Sequence, residues 1–196
     1  MDKSNGKQSP EVDPNEKELI ARAQKGDVKG FDELVRKYQK RIYFLAKRMV
    51  KSHDMAEEIA QESFVKAYFS IKQFNLEMPF YSWIYRICVN LAINYLRKEK
   101  LFVYESKSEE EVDILENLPS PNNPLSEMLK EELNQKIEKA IEKLPTEFKT
   151  VFMLRVYDEL SYEEIAKVLN LTKGTVMSRL FRARQRLQKE LRDISR

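Results

Sequence analysis

YEEIAKVLNLTKGTVMSRLFRAR, residues 162–184, carries two helical periods on either side of a break at Asn170 and Leu171. Just ahead of it, Ser161 stands three residues before Glu164, the spacing at which each side chain satisfies the other's backbone donor and starts a helix. The first period is short and holds a small residue, Ala166, where a second helix must come close. Thr172 is placed to cap a long helix on which Val176, Leu180, Ala183, Leu187 and Leu191 recur every three or four positions and share one buried stripe. The opposite side is Gly174, Ser178, Phe181, Arg182 and Gln185. From Thr172 onward Lys173, Arg179, Arg182, Arg184, Arg186, Lys189, Arg192 and Arg196 face only Glu190 and Asp193, a local charge of +6. Cap, turn, small residue and basic face together predict a helix-turn-helix. Its last helix suits a DNA groove, with basic groups on phosphates and a few side chains on base edges.

Working back from this motif, Pro145 separates two further helices, the second carrying Phe148, Val151, Phe152, Leu154 and Val156. Before them lies a run with Glu105, Glu109, Glu110, Glu111, Asp113 and Glu116 against Lys107, followed by NLPSPNNP. Pro119, Pro121 and Pro124 forbid a continuous helix there, so residues 101–126 read as a flexible acidic linker, either a solvated spacer or a strand of chain threading a partner. Residues 127–196 form the second domain.

Residues 1–15 are polar and Pro-containing, the signature of a disordered tail. The first domain, 16–100, reads as four helices. Leu19, Ile20 and Ala23 give a stripe that stops at Gly26. Asp27 caps a second helix carrying Phe31, Leu34, Val35, Tyr38, Ile42, Leu45 and Met49. A third runs from about Asp54 to Gln73, with Met55, Ile59, Phe64, Ala67, Tyr68 and Ile71 directed at a core. A fourth starts at Pro79 or Phe80 and runs to about Lys100. The fold class is therefore all-α, a four-helix domain and a helix-turn-helix domain joined by a flexible linker.

Two faces of the first domain are chemically distinctive. On the third helix Asp54, Glu58, Gln61 and Glu62 line one side with Val65 among them, a pattern that fits a solvated face or a docking surface for another protein's helix. On the fourth, Ile84, Cys88, Leu91, Ala92, Tyr95 and Leu96 form the apolar side, while Trp83, Arg86, Asn90, Asn94 and Arg97 face away. Asn is a poor interior helix former, so two of them beside Trp and Arg point to an external hydrogen-bonding partner. The preceding QFNLEMPFYSW is aromatic-rich. Phe74, Phe80, Tyr81 and Trp83 divide between core packing and a platform for unstacked bases.

Composition sets the exclusions. Across 196 residues the chain has 35 Lys and Arg, 32 Asp and Glu, one Cys and one His, for a formal charge of +3. A single Cys88 and a single His53 leave no intramolecular disulfide, no Cys/His zinc site and no redundant Ser-His-Asp triad, so a metal-free protein of a reducing compartment is expected. Cys88 reads as a small core residue and His53 as a surface or capping residue. With no signal-peptide h-region and no apolar run of about 18 residues, a soluble cytoplasmic protein is expected.

The segments ELIARAQKGDVKGFDELVRKYQKRIYFLAKRMV, DMAEEIAQESFVKAY, FYSWIYRICVNLAINYLRK and LPTEFKTVFMLRVYDELSYEEIAKVLNLTKGTVMSRLFRAR occur in the order seen in bacterial extracytoplasmic-function (group IV) sigma factors, which the chain resembles over roughly residues 17–100 and 128–192. The resemblance implies a promoter-specificity subunit of core RNA polymerase, acting at a stress- or signal-controlled regulon and held by an anti-sigma factor, with no small-molecule substrate. It implies that Asp54, Glu57, Glu58, Gln61 and Glu62 grip the polymerase clamp helices. It makes Gln73, Phe74 and Asn75 a specificity loop that accepts a flipped base of the melted non-template strand of the minus-ten element. Asn90 would sit at that pocket, with Phe80, Tyr81 and Trp83 near the melting junction and Arg86, Arg97 and Lys98 on phosphates. It places the last helix in the duplex minus-thirty-five element through Lys173, Thr175, Ser178, Arg179, Phe181 and Arg182. Met177 stands where relatives often present Arg, shifting weight to Arg179, Arg182 and shape readout. The alternative from the residues alone is a free-standing helix-turn-helix regulator, which would bind paired duplex half-sites unaided. An enzyme acting on nucleic acid would need a nucleophile or clustered metal carboxylates that the sequence does not offer.

Overall fold

The computed structural model describes residues 14–105 and 124–194, and among them every regular element is helical. They fall into two compact units, one built mainly on the first four helices up to Leu96 and the other mainly on the last four.

In the first unit, α1 (Pro14–Gln24) ends where Gly26 takes φ +92°. There Asp27 N–H donates to Arg22 O and Gly26 N–H to Ala23 O, both at 3.0 Å, the paired bonds of a Schellman turn that only a residue tolerant of positive φ completes cheaply. Asp27 then caps α2 (Val28–Val50), accepting from the Lys29 and Gly30 amides at 3.0 and 3.4 Å. Arg22 Nε donates to the same carboxylate at 2.8 Å and, first among several causes, holds the Asp27 carboxyl below its ordinary range. Gly30 is where α1 crosses α2: a Cβ there would lie 3.1 Å from Leu19 O and from the Arg22 Cβ.

Ser52 caps α3 (His53–Ser70), one residue earlier than the acid pattern suggested, and a 3₁₀ turn (Ile71–Gln73) carries the chain towards α4 (Phe80–Glu105). Ile20, Leu34, Ile42, Leu45, Ala67, Phe80, Ile84, Cys88 and Ala92 are essentially inaccessible and form the core. Each large aliphatic side chain buried in this way stabilises the fold by about 1.5–3 kcal/mol. Cys88 packs as a small apolar residue, as the periodicity of α4 implies.

Tyr68 is a correction. It is exposed, with its ring edge-on to Phe31 at 5.1 Å, because α3 turns it to the rim of the core rather than into it. Helix also enters both ends of the segment read as linker. α4 continues to Glu105, since nothing in KEKLFVYE breaks a helix, and α5 begins at Pro124, a first-turn position where a missing N–H costs nothing. The remainder of that segment, 106–123, and the tail through residue 13 lie outside the described residues.

In the second unit, α5 (Pro124–Glu142) and α6 (Thr146–Val156) both pack on α8 (Lys173–Ile194), with α7 (Tyr162–Leu169) between them in sequence. The capping box forms in full: Ser161 N–H donates to Glu164 Oε2 at 2.6 Å and Glu164 N–H to Ser161 Oγ at 3.2 Å. The turn after α7 closes by Leu171 N–H to Ala166 O at 2.9 Å, with Asn170 at φ 53°. Thr172 Oγ1 accepts from the Thr175 amide at 3.2 Å and starts α8. Val176, Leu180, Ala183 and Leu187 are buried as their spacing requires.

Candidate functional site

Three outward-facing surfaces carry the residues singled out above. The first is on α3. Asp54, Glu57, Glu58, Gln61 and Glu62 are all exposed, while Ala56, Ile59, Ala60, Ser63, Phe64 and Ala67 hold the opposite side in the core. The acids are tied only at the edges of the row, Glu57 facing His53 Nε2 at 3.5 Å and Glu62 paired with Lys66 at 3.0 Å. Val65 at 51% exposed and Phe69 at 80% continue the row. Phe69 escaped the sequence reading because a ring near the end of a helix reads as core by default. Its spacing of four from Val65 was the available signal. An acidic row running into a bare ring can meet a basic surface and then exclude water at its centre.

The second surface surrounds the connector from α3 to α4. Here the proposed contacts separate by depth. Phe80 is fully buried and Phe74 nearly so, which sets both rings beneath this surface. Their rings lie 5.8 Å apart, and Trp83 rests on both, with centroids 4.8 Å from Phe74 and 5.6 Å from Phe80. Burying three rings together is worth more than leaving each in water, so two become the floor for the third. Trp83 and Tyr81 are half-buried, and Gln73, Asn75, Asn90, Asn94, Arg97 and Lys98 are exposed. Asn75 Oδ1 accepts from the Glu77 amide at 3.0 Å, an Asx turn that leaves its amide NH2 as the group available outward. Arg86 is half-buried on the same side of α4.

The third surface is the outer face of α8. Gly174, Met177, Ser178, Phe181, Arg182 and Gln185 are exposed, Phe181 at 62% and Met177 at 50%. Lys173 is ion-paired with Glu163, whose carboxyl it holds below the usual carboxylate range. Arg179 is less free than the charge count suggests, its guanidinium lying 3.2 Å from Glu147 of α6. Thr175 is half-buried and shares a 2.8 Å hydroxyl contact with Thr172, which places it in the cap. Phe181, Met177, Arg182 and Gln185 are thus the large side chains this face presents, among them a cation able to meet guanine or phosphate and a ring able to meet a thymine methyl group.

Among the described residues no group of three His, Cys, Asp or Glu side chains could hold a metal ion, and no helix is long and apolar enough to cross a membrane.

The Sigma-70 region 2 family matches residues 34–102 and the Sigma-70 region 4 family residues 134–187. The chain is 39% identical over 180 residues to the ECF RNA polymerase sigma-E factor of Haemophilus influenzae, covering 90% of this chain and 95% of that one. Two solved structures share the fold. CnrH, in complex with the cytosolic domain of CnrY, gives a TM-score of 0.66 at 22% identity, covering 92% of this chain and 99% of CnrH. RpoE from Bartonella quintana, in complex with the anti-sigma factor NepR, gives 0.67 at 24% identity, covering 84% and 98%. Matched in both halves, in order, and aligned almost end to end with a relative, the chain belongs to the extracytoplasmic-function RNA polymerase sigma factors, initiation factors that bind core polymerase and direct it to promoter DNA.

Proposed function

We propose that the three surfaces divide the work of this sigma factor. The α3 row of Asp54, Glu57, Glu58, Gln61 and Glu62, extended by Val65 and Phe69, docks on the clamp helices of core polymerase. Gln73 and Asn75, with Tyr81, Trp83, Arg86, Asn90 and Arg97, take the melted minus-ten strand, while Phe74 and Phe80 support Trp83 from beneath. Lys173, Ser178, Arg179, Phe181 and Arg182 of α8 hold the duplex minus-thirty-five element, and Thr175 supports them from the cap. Residues 16–100 and 127–196 then act as separate domains on one promoter. The observation that carries this reading is exposure: the acids and amide of α3, Gln73, Asn75, Asn90 and Arg97 around α4, and Lys173, Ser178 and Arg182 of α8 face outward while their helices bury the opposite stripe, with Arg86, Thr175 and Arg179 half-buried at the margins.

Neither DNA contact alone is strong. Polymerase fixes their spacing, so each raises the effective concentration of the other. Strand opening draws on capture of unstacked bases and contact with the freed strand, and the chain performs no bond chemistry and needs no cofactor. It works in the cytoplasm beside polymerase, at promoters switched by a stress or signal. Release from an anti-sigma factor is the expected control, supported by the two fold relatives seen bound to such partners or to a cytosolic partner domain.

The test is transcription and gel-shift with the purified chain, core polymerase and the two mixed, on a pool of promoter fragments. Specific initiation in the mixture alone is expected. Tight sequence-specific binding by the chain without polymerase would instead identify a free-standing regulator and remove the role given to α3.

A further inference from the structure

α1 contributes none of the surfaces above, yet it holds one of them. Gln24, the last residue of α1, donates from Nε2 to two carbonyls of the connector, Ile71 O at 3.0 Å and Phe74 O at 2.8 Å. Ile71 O also accepts from the Phe74 amide at 3.0 Å, so one side-chain amide closes both ends of the 3₁₀ turn. Lys17 pairs with Glu77 further along the same connector at 3.4 Å.

The platform from which Gln24 reaches is itself fixed. Glu16 is buried, and its Oε2 accepts from the Tyr38 hydroxyl at 2.6 Å and from Lys37 Nζ at 2.7 Å, joining α1 to α2. The Tyr38 ring continues to Phe80 at 5.5 Å, and Phe80 lies under Trp83. Polar pinning through Gln24 and ring packing through Tyr38 therefore converge on the segment that carries Gln73, Phe74 and Asn75. A carbonyl pair facing a side-chain amide has few alternative partners at this half-buried depth. Removing the donor takes the side-chain partner from Phe74 O and leaves Ile71 O with the Phe74 amide alone, so the connector loses the tie that fixes it to α1.

We propose that Gln24 is a positioning residue for minus-ten recognition, holding the connector in the conformation that presents Gln73 and Asn75 to the unstacked strand. The inference rests on the reading of this connector as the minus-ten specificity loop.

The test uses the full chain assembled with core polymerase and a fluorescent single-stranded oligonucleotide bearing the non-template minus-ten sequence. Gln24→Leu keeps the side chain's bulk and removes both donors. It is expected to weaken oligonucleotide binding about tenfold, the scale of two ordinary hydrogen bonds. Polymerase assembly and binding to a minus-thirty-five duplex should stay within about twofold. Gln24→Lys returns a donor of similar reach and is expected to recover most of the loss, and Trp83 emission should shift in the leucine variant and return with lysine. Equal losses in all three binding assays would mean a fold-wide defect and overturn the proposal. Asn75→Ala and Asn90→Ala run beside it. If they weaken the oligonucleotide and Gln24→Leu does not, the positioning role is wrong and the loop reading stands. If none of the three has an effect, the loop reading falls and the positioning role falls with it.

Discussion

Helices α3 and α8 each bury one stripe and leave the opposite one bare, yet they present opposite chemistry to solvent. The α3 row is acidic with a ring at its end; the α8 row is basic with a ring in its middle. Carboxylates cannot approach phosphates, and a run of Lys and Arg repels a basic protein surface, so each row excludes the other's partner before any detailed fit is made. The exposed ring then plays a different part in each. At the end of the α3 row Phe69 can be covered completely by a protein partner, whereas in the proposed role Phe181 would meet base edges, where a groove stays wet. Sign selects the class of partner, and the position of the ring sets how much of the affinity is hydrophobic.

The widest break in this comparison is Phe69→Asp. Phe69 is 80% exposed, so the fold should keep its helicity and melting temperature. Loss of an exposed aromatic anchor should lower affinity for core polymerase by roughly 2 kcal/mol or more, read by fluorescence competition. Gln61→Lys should weaken the same complex through charge; unchanged affinity in both variants would remove α3 from the interface. Next comes Arg182→Ala, expected to cost about 1–3 kcal/mol on a minus-thirty-five duplex and to relax specificity at one position, with polymerase assembly untouched. An identical isotherm for the variant would shift groove reading away from this side chain.

A smaller effect sharpens the point that α8 depends on its local scaffold. Ser161→Ala breaks one half of the capping box at the start of α7 and should lower stability by about 1 kcal/mol in thermal or urea unfolding. The smallest is a pH effect on the α1–α2 junction. The folded Asp27 carboxyl is held below its ordinary value of 3.8, chiefly by the Arg22 hydrogen bond. Its contribution is therefore complete above that value and is lost as pH falls through the depressed one. Asp27→Asn should flatten the acid limb of the unfolding curve; an unchanged limb would mean other carboxylates control it.

How much of this was legible in the sequence depends on distance along the chain. The caps at Asp27, Ser161 with Glu164, and Thr172 were readable because each bond joins residues two or three apart, where spacing is geometry. The buried stripes of α2 and α8 were readable for the same reason. The aromatics were not. Tyr68 lies at the rim while Phe74 and Phe80 lie inside, and the choice is made by neighbours on other helices that no local period encodes. Gln24 shows the extreme case: it sits 47 and 50 residues from the carbonyls it holds, and an amide at a helix end looks in sequence like any solvated one.

The bare rings have a colloidal consequence. Phe69 and Phe181 stand in open water on the isolated chain, the first with Lys66 and Lys72 three residues to either side and the second beside Arg182. At low ionic strength those like charges hold copies apart. Added salt screens them, and excluded salts such as sulfate also strengthen apolar contact. The unbound protein should therefore salt out early and self-associate ring to ring under the very conditions that strip it from DNA, and it should be most soluble at low ionic strength with a partner covering one face.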